Sequence, residues 1–177
     1  VMADRTIREE EYYWIWQGRT GLSLYHPASE QISFASDFPN DTGKYHIIKC
    51  IEKCRTQPGI WAASGNACVV HLQHESMKMK CIQEIRIPDA CQVRVLHEDD
   101  QGNLWIGTEN AIYQYSISDG NMRRIHKDTG AINGIAISPD KAIYYITETP
   151  EFSCLPPDGQ VHSIHKGENY SSIIISP

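Results

Sequence analysis

The chain repeats itself at intervals of about 40 to 45 residues, and this repeat constrains its fold more than any other feature. Leu104 aligns without gaps with Ile60, Ile143 and Trp14, at separations of 44, 39 and 90 residues. Each unit holds short apolar runs separated by turn residues such as Asp, Asn and Gly. A helical repeat of this length would space its apolar residues three and four positions apart, and these runs do not. Each unit therefore reads as a small sheet.

A repeat of this length with about four strands per unit is typical of a β-propeller blade. The predicted fold class is all-β, with about four blades of four antiparallel strands. We place the blades at 12–36, 45–87, 91–126 and 131–165, followed by a terminal strand at 170–176. The charged segment 6–11 is interpreted as a lead-in, so the first blade is expected to contain only its last three strands.

The repeats leave the closure of the propeller open. Residues 1–177 are expected to form a single propeller segment, as a closed four-bladed ring, as an arc of a larger ring or as half of a ring made by two chains. An open arc would expose two apolar blade faces, which favours association. Further blades or a second copy of the chain are therefore predicted partners.

Composition and charge exclude several kinds of partner. Formal net charge is −6, so no basic surface suggests binding to nucleic acid. No apolar run reaches the roughly 20 residues that span a bilayer. No signal peptide is visible, but an excised segment would look the same, so no compartment is excluded.

The cysteines and histidines predict neither a metal site nor a cofactor. Six cysteines are present without a Cys-x-x-Cys pair. Cys68 and Cys81 fall on the two arms of one hairpin and could be bridged, although we favour free thiols. The histidine pairs His71/His74 and His162/His165 are interpreted as surface residues. The acidic turn 98–103 lacks the spacing of a calcium-binding loop.

No arrangement of nucleophile, base or paired carboxylates is visible, so the sequence gives no case for catalysis. Packing between blades is the favoured interpretation of Trp16, but aromatic rings can also stack on sugars, and Trp16 with Arg19 is the best candidate for such a platform. The loops between second and third strands share one face of a propeller, where functional loops are expected. Their polar members able to bond sugar hydroxyls are Arg19, Asn66, Glu109, Asn110 and Glu148.

Segment 100–115, which reads DQGNLWIGTENAIYQY, closely resembles the two-component regulator propeller repeat, of the form D-x-x-G-x-L-W-I-G-T-x-x-G-L-Y-x-Y. Segment 20–27 matches the second half of that form. The other two units are degenerate, since Gly107 is replaced by Ala63 and Ile146 at the equivalent positions, and Ala111 by Pro150.

This resemblance implies an extracytoplasmic sensor region of the hybrid two-component systems typical of gut Bacteroidetes. Such a region is anchored by a membrane helix to a cytoplasmic histidine kinase, and many members respond to oligosaccharides. The chain is therefore expected to be a soluble, non-catalytic, periplasmic piece of a membrane-anchored sensor. The alternative is a propeller scaffold for protein–protein interaction. The family has no transferable binding motif, so the resemblance assigns no binding residue.

Overall fold

The computed structural model describes residues 5–18, 21–34, 48–64, 67–89, 92–127, 130–149 and 151–166. Within these ranges the chain forms sixteen β-strands in four separate sheets, and no helix. Each sheet consists of four strands that are consecutive in sequence and antiparallel to their neighbours. The predicted all-β fold of four-stranded propeller blades is confirmed.

The strands of the four blades have the following bounds. The first blade contains β1 (Arg5–Glu9), β2 (Tyr12–Gln17), β3 (Gly21–His26) and β4 (Gln31–Phe34). The second contains β5 (Ile48–Lys53), β6 (Ile60–Ser64), β7 (Cys68–Glu75) and β8 (Lys78–Arg86). The third contains β9 (Val93–Glu98), β10 (Asn103–Thr108), β11 (Ala111–Ser116) and β12 (Met122–Lys127). The fourth contains β13 (Ile132–Ile137), β14 (Ile143–Thr147), β15 (Glu151–Leu155) and β16 (His162–Lys166).

The first blade is complete, which corrects the interpretation of segment 6–11 as a lead-in. Strand β1 pairs with β2 from Arg5 opposite Trp16 to Glu9 opposite Tyr12. Only Ile7 of this strand is buried, so its hydrophobic pattern is too weak to predict a strand. The strand is fixed by long-range contacts, described below. The predicted terminal strand at 170–176 lies outside the described residues.

The chain divides into two compact units, residues 1–93 and 94–177, each containing two blades. In the first unit, side chains from both blades form one hydrophobic core that includes Trp14, Leu24, Ile51 and Val70. In the second unit, Trp105 and Ile112 of the third blade pack with Ile135, Ile143 and Tyr145 of the fourth. Fully burying a side chain of this size contributes about 1.5–3 kcal/mol, so packing between the two blades stabilises each unit.

The five described cysteines form no disulfide in this structure. Cys68 lies opposite Arg86 and Cys81 lies opposite Leu72, so the two cysteines do not face each other across the β7–β8 hairpin. Their cross-strand positions are four residues apart, about 13 Å along a strand, which is too far for a disulfide. Cys91 lies outside the described residues.

Candidate functional site

The turn between β10 and β11 presents Glu109 and Asn110 on a fixed backbone. The buried Thr108 hydroxyl donates a hydrogen bond to the carbonyl oxygen of Ala111 at 3.1 Å and accepts from the backbone N–H of Ala111 at 3.1 Å. It also lies 3.4 Å from the N–H of Asn110. Glu109 is half-buried and Asn110 is exposed. Because both residues lie on a turn held from within, the backbone of this turn needs little ordering when a ligand binds.

The equivalent turn in the fourth blade presents Glu148. The hydroxyl of Thr147, 39 residues after Thr108, donates to the carbonyl oxygen of Thr149 at 2.7 Å. The backbone N–H of Glu148 donates to the carbonyl oxygen of Ala131, just before β13, at 2.8 Å. The repeat thus places a hydroxyl at the end of the second strand in both blades, and in both it organises the turn that follows.

Arg94 is a member of this site that sequence reasoning missed. It lies at the start of β9, and its Nη2 is 3.9 Å from Oε2 of Glu148. The guanidinium is about one-third exposed and the carboxylate about two-thirds exposed, so both groups remain accessible to a ligand. Arg94 and Glu148 are 54 positions apart, and only the packing of the two blades brings them together. The position of Arg94 at the start of the innermost strand of its blade was the available signal.

The arrangement in the second unit suits a polyhydroxylated ligand. Carboxylates accept hydrogen bonds from hydroxyl groups, the amide of Asn110 both donates and accepts, and a guanidinium donates in a fixed planar fork. Of the predicted site residues, Glu109, Asn110 and Glu148 all lie at the same ends of their blades, on the turns between second and third strands. We call the group formed by Arg94, Glu109, Asn110 and Glu148 the turn site.

The remaining predicted site residues belong to the first unit. Trp16 is 5% exposed, and its indole Nε1 donates to the carbonyl oxygen of Ile48 at 3.0 Å across the two blades. The indole thus packs between the two blades, which is the favoured interpretation of Trp16. Arg19 and Asn66 lie outside the described residues, so their part in a ligand site stays a prediction.

A second cluster lies at the opposite ends of the blades in the first unit. The ring of Tyr12 lies between the rings of His26 and His74, with centroids 4.7 Å and 4.0 Å away. Nε2 of His74 is 3.8 Å from the carboxylate of Glu9, and Nε2 of His26 is 3.6 Å from that of Glu11. Glu9 also accepts hydrogen bonds from the indole of Trp14 and from the backbone N–H of Gly59. This cluster joins the two blades.

The prediction that His71 is a surface residue was wrong, while His74 is half-buried. His71 is 1% exposed, its ring centroid lies 4.9 Å from that of Trp61, and its Nε2 donates to the carbonyl oxygen of Pro58 at 2.8 Å. The reason is that β7 is covered on both faces, as expected of a strand within packed blades. His162 and His165 are exposed, as predicted.

The acidic turn between β9 and β10 has a structural explanation. Oδ1 of Asp99 accepts from the backbone N–H groups of Gln101 and Asn103, both at 2.9 Å, and Oδ2 accepts from the indole of Trp105 at 2.8 Å. Burial by itself raises the pKa of Asp99, but these hydrogen bonds outweigh it and leave the pKa below its usual value. Both carboxylate oxygens of Asp99 thus already accept hydrogen bonds from the turn or from β10.

The described part of the chain contains neither a cluster of metal ligands nor a membrane-spanning helix. No three His, Cys, Asp or Glu side chains there converge in a way that could hold a metal ion. No helix in those residues is long and apolar enough to cross a membrane.

Comparison with known families identifies the repeat. Residues 87–110 match the model of the family described as two component regulator propeller. This segment is similar to a two-component regulator propeller repeat. The propeller repeat covers the start of the third blade, including the Asp99 turn, the whole of β10 and the first part of the turn site. None of the curated proteins matches the chain.

Solved structures share the propeller fold. The extracellular domain of the hybrid two-component system BT4673 from B. thetaiotaomicron superposes with a TM-score of 0.72 at 18% identity, over 96% of this chain and 23% of that one. A second structure of that domain gives a TM-score of 0.71 over the same shares. The computationally designed Ika8 protein gives 0.69 at 9% identity, over 97% of this chain and 52% of that one. The chain thus spans about a quarter of the length of the extracellular domains that it resembles.

Proposed function

We propose that this chain is a ligand-sensing propeller segment of a membrane-anchored hybrid two-component regulator. The observation that carries the proposal is the two-component regulator propeller repeat at residues 87–110, within a chain whose fold matches an extracellular domain of such a system. The segment lies outside the cytoplasm, in the periplasm, and contributes binding, while a histidine kinase elsewhere in the parent protein performs the chemistry.

The ligand that the turn site fits best is an oligosaccharide. Glu109 and Asn110 lie on the β10–β11 turn, which is held by the hydroxyl of Thr108. Glu148 lies on the β14–β15 turn, close to the guanidinium of Arg94. These groups offer both donors and acceptors to the vicinal hydroxyls of a sugar.

Titration calorimetry of the 177-residue chain against a library of neutral glycan fragments tests the proposal. We expect saturable heat with one fragment or a related group, and no change in the fragment afterwards. Glu109→Gln and Glu148→Gln should each weaken binding about tenfold, the cost of about one charge-assisted hydrogen bond. Glu75→Gln, which removes a carboxylate at the opposite ends of the blades, is the matched control and should leave binding unchanged.

Other outcomes would contradict the proposal. Absence of heat with every fragment would favour the protein-interaction scaffold. Cleavage of a fragment would show that the segment is an enzyme. Equal losses of affinity in Glu109→Gln and in the Glu75→Gln control would show that the fragment does not bind at the turn site.

A further inference from the structure

The first blade buries one of its two faces and leaves apolar side chains accessible on the other. The buried face carries Ile7, Trp14 and Leu24, which lie opposite one another on neighbouring strands and belong to the core shared with the second blade. Side chains alternate between the two faces of a sheet, so Tyr13 and Ile15, on either side of the tryptophan, lie on the opposite face. Both are half-buried, so this second face is apolar and only partly covered.

The second face continues across β3 and β4. Tyr13 lies opposite Tyr25, which lies opposite Ile32, and Phe34 follows two positions later on the same side of β4. Ile32 is 51% exposed and Phe34 is 48% exposed. Single apolar residues on a surface are ordinary, but contiguous ones are typical of an interaction site. We call the surface formed by Tyr13, Ile15, Tyr25, Ile32 and Phe34 the open face of the first blade.

The corresponding face of two other blades is packed against a neighbouring blade. In β6, Ile60 and Ala62 flank Trp61, as two residues of the open face flank the tryptophan of β2. Ile60 and Ala62 are fully buried, in the core that the first and second blades share. In β14, Ile143 and Tyr145 occupy the same positions and are buried against the third blade. In each unit, therefore, the surface that covers this face of the repeat is the preceding blade.

The fourth blade has the complementary surface. A blade packs against the blade that follows it through an aromatic residue of its second strand, which is Trp14 in one unit and Trp105 in the other. Tyr144 occupies that position in the fourth blade, 39 residues after Trp105. It is half-buried, and its ring centroid lies 6.0 Å from that of Phe152, on the same face. We call the surface formed by Tyr144 and Phe152 the Tyr144 face.

A second copy of the chain carries a partner for each of these two faces. Contact between the open face of one copy and the Tyr144 face of another would repeat the packing between blades that each unit already contains. A propeller protein of suitable length exists, because this chain superposes on only 52% of the designed Ika8 protein. Charged residues on an outermost strand discourage association, and β4 contains none, whereas β8, β12 and β16 all contain them.

We propose that the open face of the first blade binds the Tyr144 face of the fourth blade in a second copy of this chain. The contact is heterologous, because two different surfaces meet, and each copy contributes one of each kind. The inference concerns assembly of the chain and does not rest on the proposed function.

Sedimentation velocity of the full 177-residue chain tests the proposal. Between about 1 and 200 µM, a range that covers weak specific interfaces, the mass should rise above the 20.1 kDa of one copy. Association should persist in about 0.5 M NaCl, because salt does not screen the burial of apolar surface.

A matched pair of lysine variants locates the contact. Ile32→Lys should weaken association about tenfold or more, because the contact would bury an unpaired charge. Ile82→Lys is the control and should associate like wild type. Ile82 is also an isoleucine of an outermost strand, β8, and its exposed fraction of 46% is close to the 51% of Ile32.

Mixing of variants distinguishes this contact from a symmetric one. Ile32→Lys and Tyr144→Lys block different faces, so each alone should stay monomeric where wild type associates, and a mixture of the two should form heterodimers through the intact faces. Thermal melting identifies a Tyr144→Lys variant that has lost its fold. His162→Lys then replaces it, because His162 is exposed and lies opposite Cys154, which lies opposite Tyr144.

Four results would overturn the proposal: a wild-type chain that stays monomeric at every concentration, equal effects of Ile32→Lys and Ile82→Lys, association of the folded Tyr144-face variant by itself, or no association in the mixture. Failure here differs from failure of the proposed function. Calorimetry with glycan fragments depends on the turn site, so Ile32→Lys should bind a fragment as wild type does, whether or not the copies associate.

Discussion

The carboxylate of Asp99 accepts a hydrogen bond from the indole Nε1 of Trp105 at 2.8 Å, and the first blade forms the same kind of pair between Glu9 and Trp14 at 2.7 Å. Asp99 and Glu9 occupy one position of the repeat, 90 residues apart. An acid at or just after the end of the first strand thus anchors a tryptophan of the second strand in two blades. Both acids therefore have a structural role, which is to hold the second strand of their sheet through its tryptophan.

Removal of this acid should destabilise the third blade. In Asp99→Ala the buried indole N–H of Trp105 loses its acceptor, and two backbone N–H groups of the turn lose theirs. We expect a loss of about 1–3 kcal/mol in the free energy of unfolding, measured by urea denaturation. Asp158→Asn changes an exposed turn acid in the fourth blade and should cost under about 0.5 kcal/mol. Equal losses in the two variants would show that the indole bond contributes nothing.

The contribution of Asp99 should depend on pH in a defined direction. Burial raises its pKa, hydrogen bonds from Trp105, Asn103 and Gln101 outweigh that effect, and the folded pKa lies below the unfolded value. The stabilisation is therefore fully present above the unfolded pKa of about 4 and is lost as pH falls through the lower folded pKa. The difference in unfolding free energy between wild type and Asp99→Asn should narrow below about pH 4. A difference that stays constant down to about pH 2 would contradict this.

Gly107 should not tolerate a side chain. A Cβ at this position would lie 2.5 Å from Cγ1 of Val95 and 2.8 Å from Cγ2 of Ile132. Gly107→Ala is expected to cost about 1–3 kcal/mol through overpacking between the third and fourth blades. Thermal unfolding measures the loss, and Val95→Ala added to Gly107→Ala should recover part of it. Wild-type stability in the single variant would mean that the two blades can separate without cost.

The Arg5–Glu52 pair should stabilise β1 against the second blade. Nη2 of Arg5 lies 2.7 Å from Oε2 of the buried Glu52, and Nη1 donates to the carbonyl oxygen of Ile51 at 2.7 Å. Arg5→Gln should cost about 1–2 kcal/mol, less than for a fully buried pair because Arg5 is half-exposed. Arg8→Gln, at an exposed position of the same strand, is the control and should cost under about 0.5 kcal/mol. A double-mutant cycle with Glu52→Gln would show no coupling if the pair is inert.

Cys68 and Cys81 should not form a disulfide with each other even after purification in air. Their Sγ atoms contact the carbonyl oxygens of Val69 and Gln83, and each faces a different cross-strand neighbour. Alkylation under denaturing conditions followed by mass spectrometry should label both completely, and a reductant should leave the melting temperature unchanged. A peptide pair linked through these two cysteines would contradict the register of the β7–β8 hairpin.

The blades could be predicted from the sequence because the four strands of each blade are consecutive in the chain, and the repeat around Leu104 marks where each blade lies. It could not predict β1, where Ile7 alone is buried and the strand depends on Arg5 reaching Glu52 of the next blade. The same limit applied to His71, whose neighbours Pro58 and Trp61 are 13 and 10 positions away. Contacts between strands and between blades are not visible in a local pattern.

The candidate site could likewise be predicted only in part, since local pattern indicates some of its residues and packing between blades determines the rest. Glu109, Asn110 and Glu148 follow from the positions of turns in the repeat, because a turn between second and third strands falls at a fixed offset from Leu104. Arg94 joins them only through packing between blades. Which hydroxyl orders each turn was also predictable in principle, since Thr108 and Thr147 share one repeat position.

Each sheet is assembled from strands that are neighbours in the chain, with none borrowed from another sheet among the described residues. A tandem duplication or deletion of about forty codons would therefore add or remove an intact sheet and leave the others whole. The residues at each contact between two sheets would then have to change separately to restore close packing. Ala63 and Ile146 stand at the positions equivalent to Gly107. This variation agrees with duplication of whole sheets followed by substitution at the contacts between them.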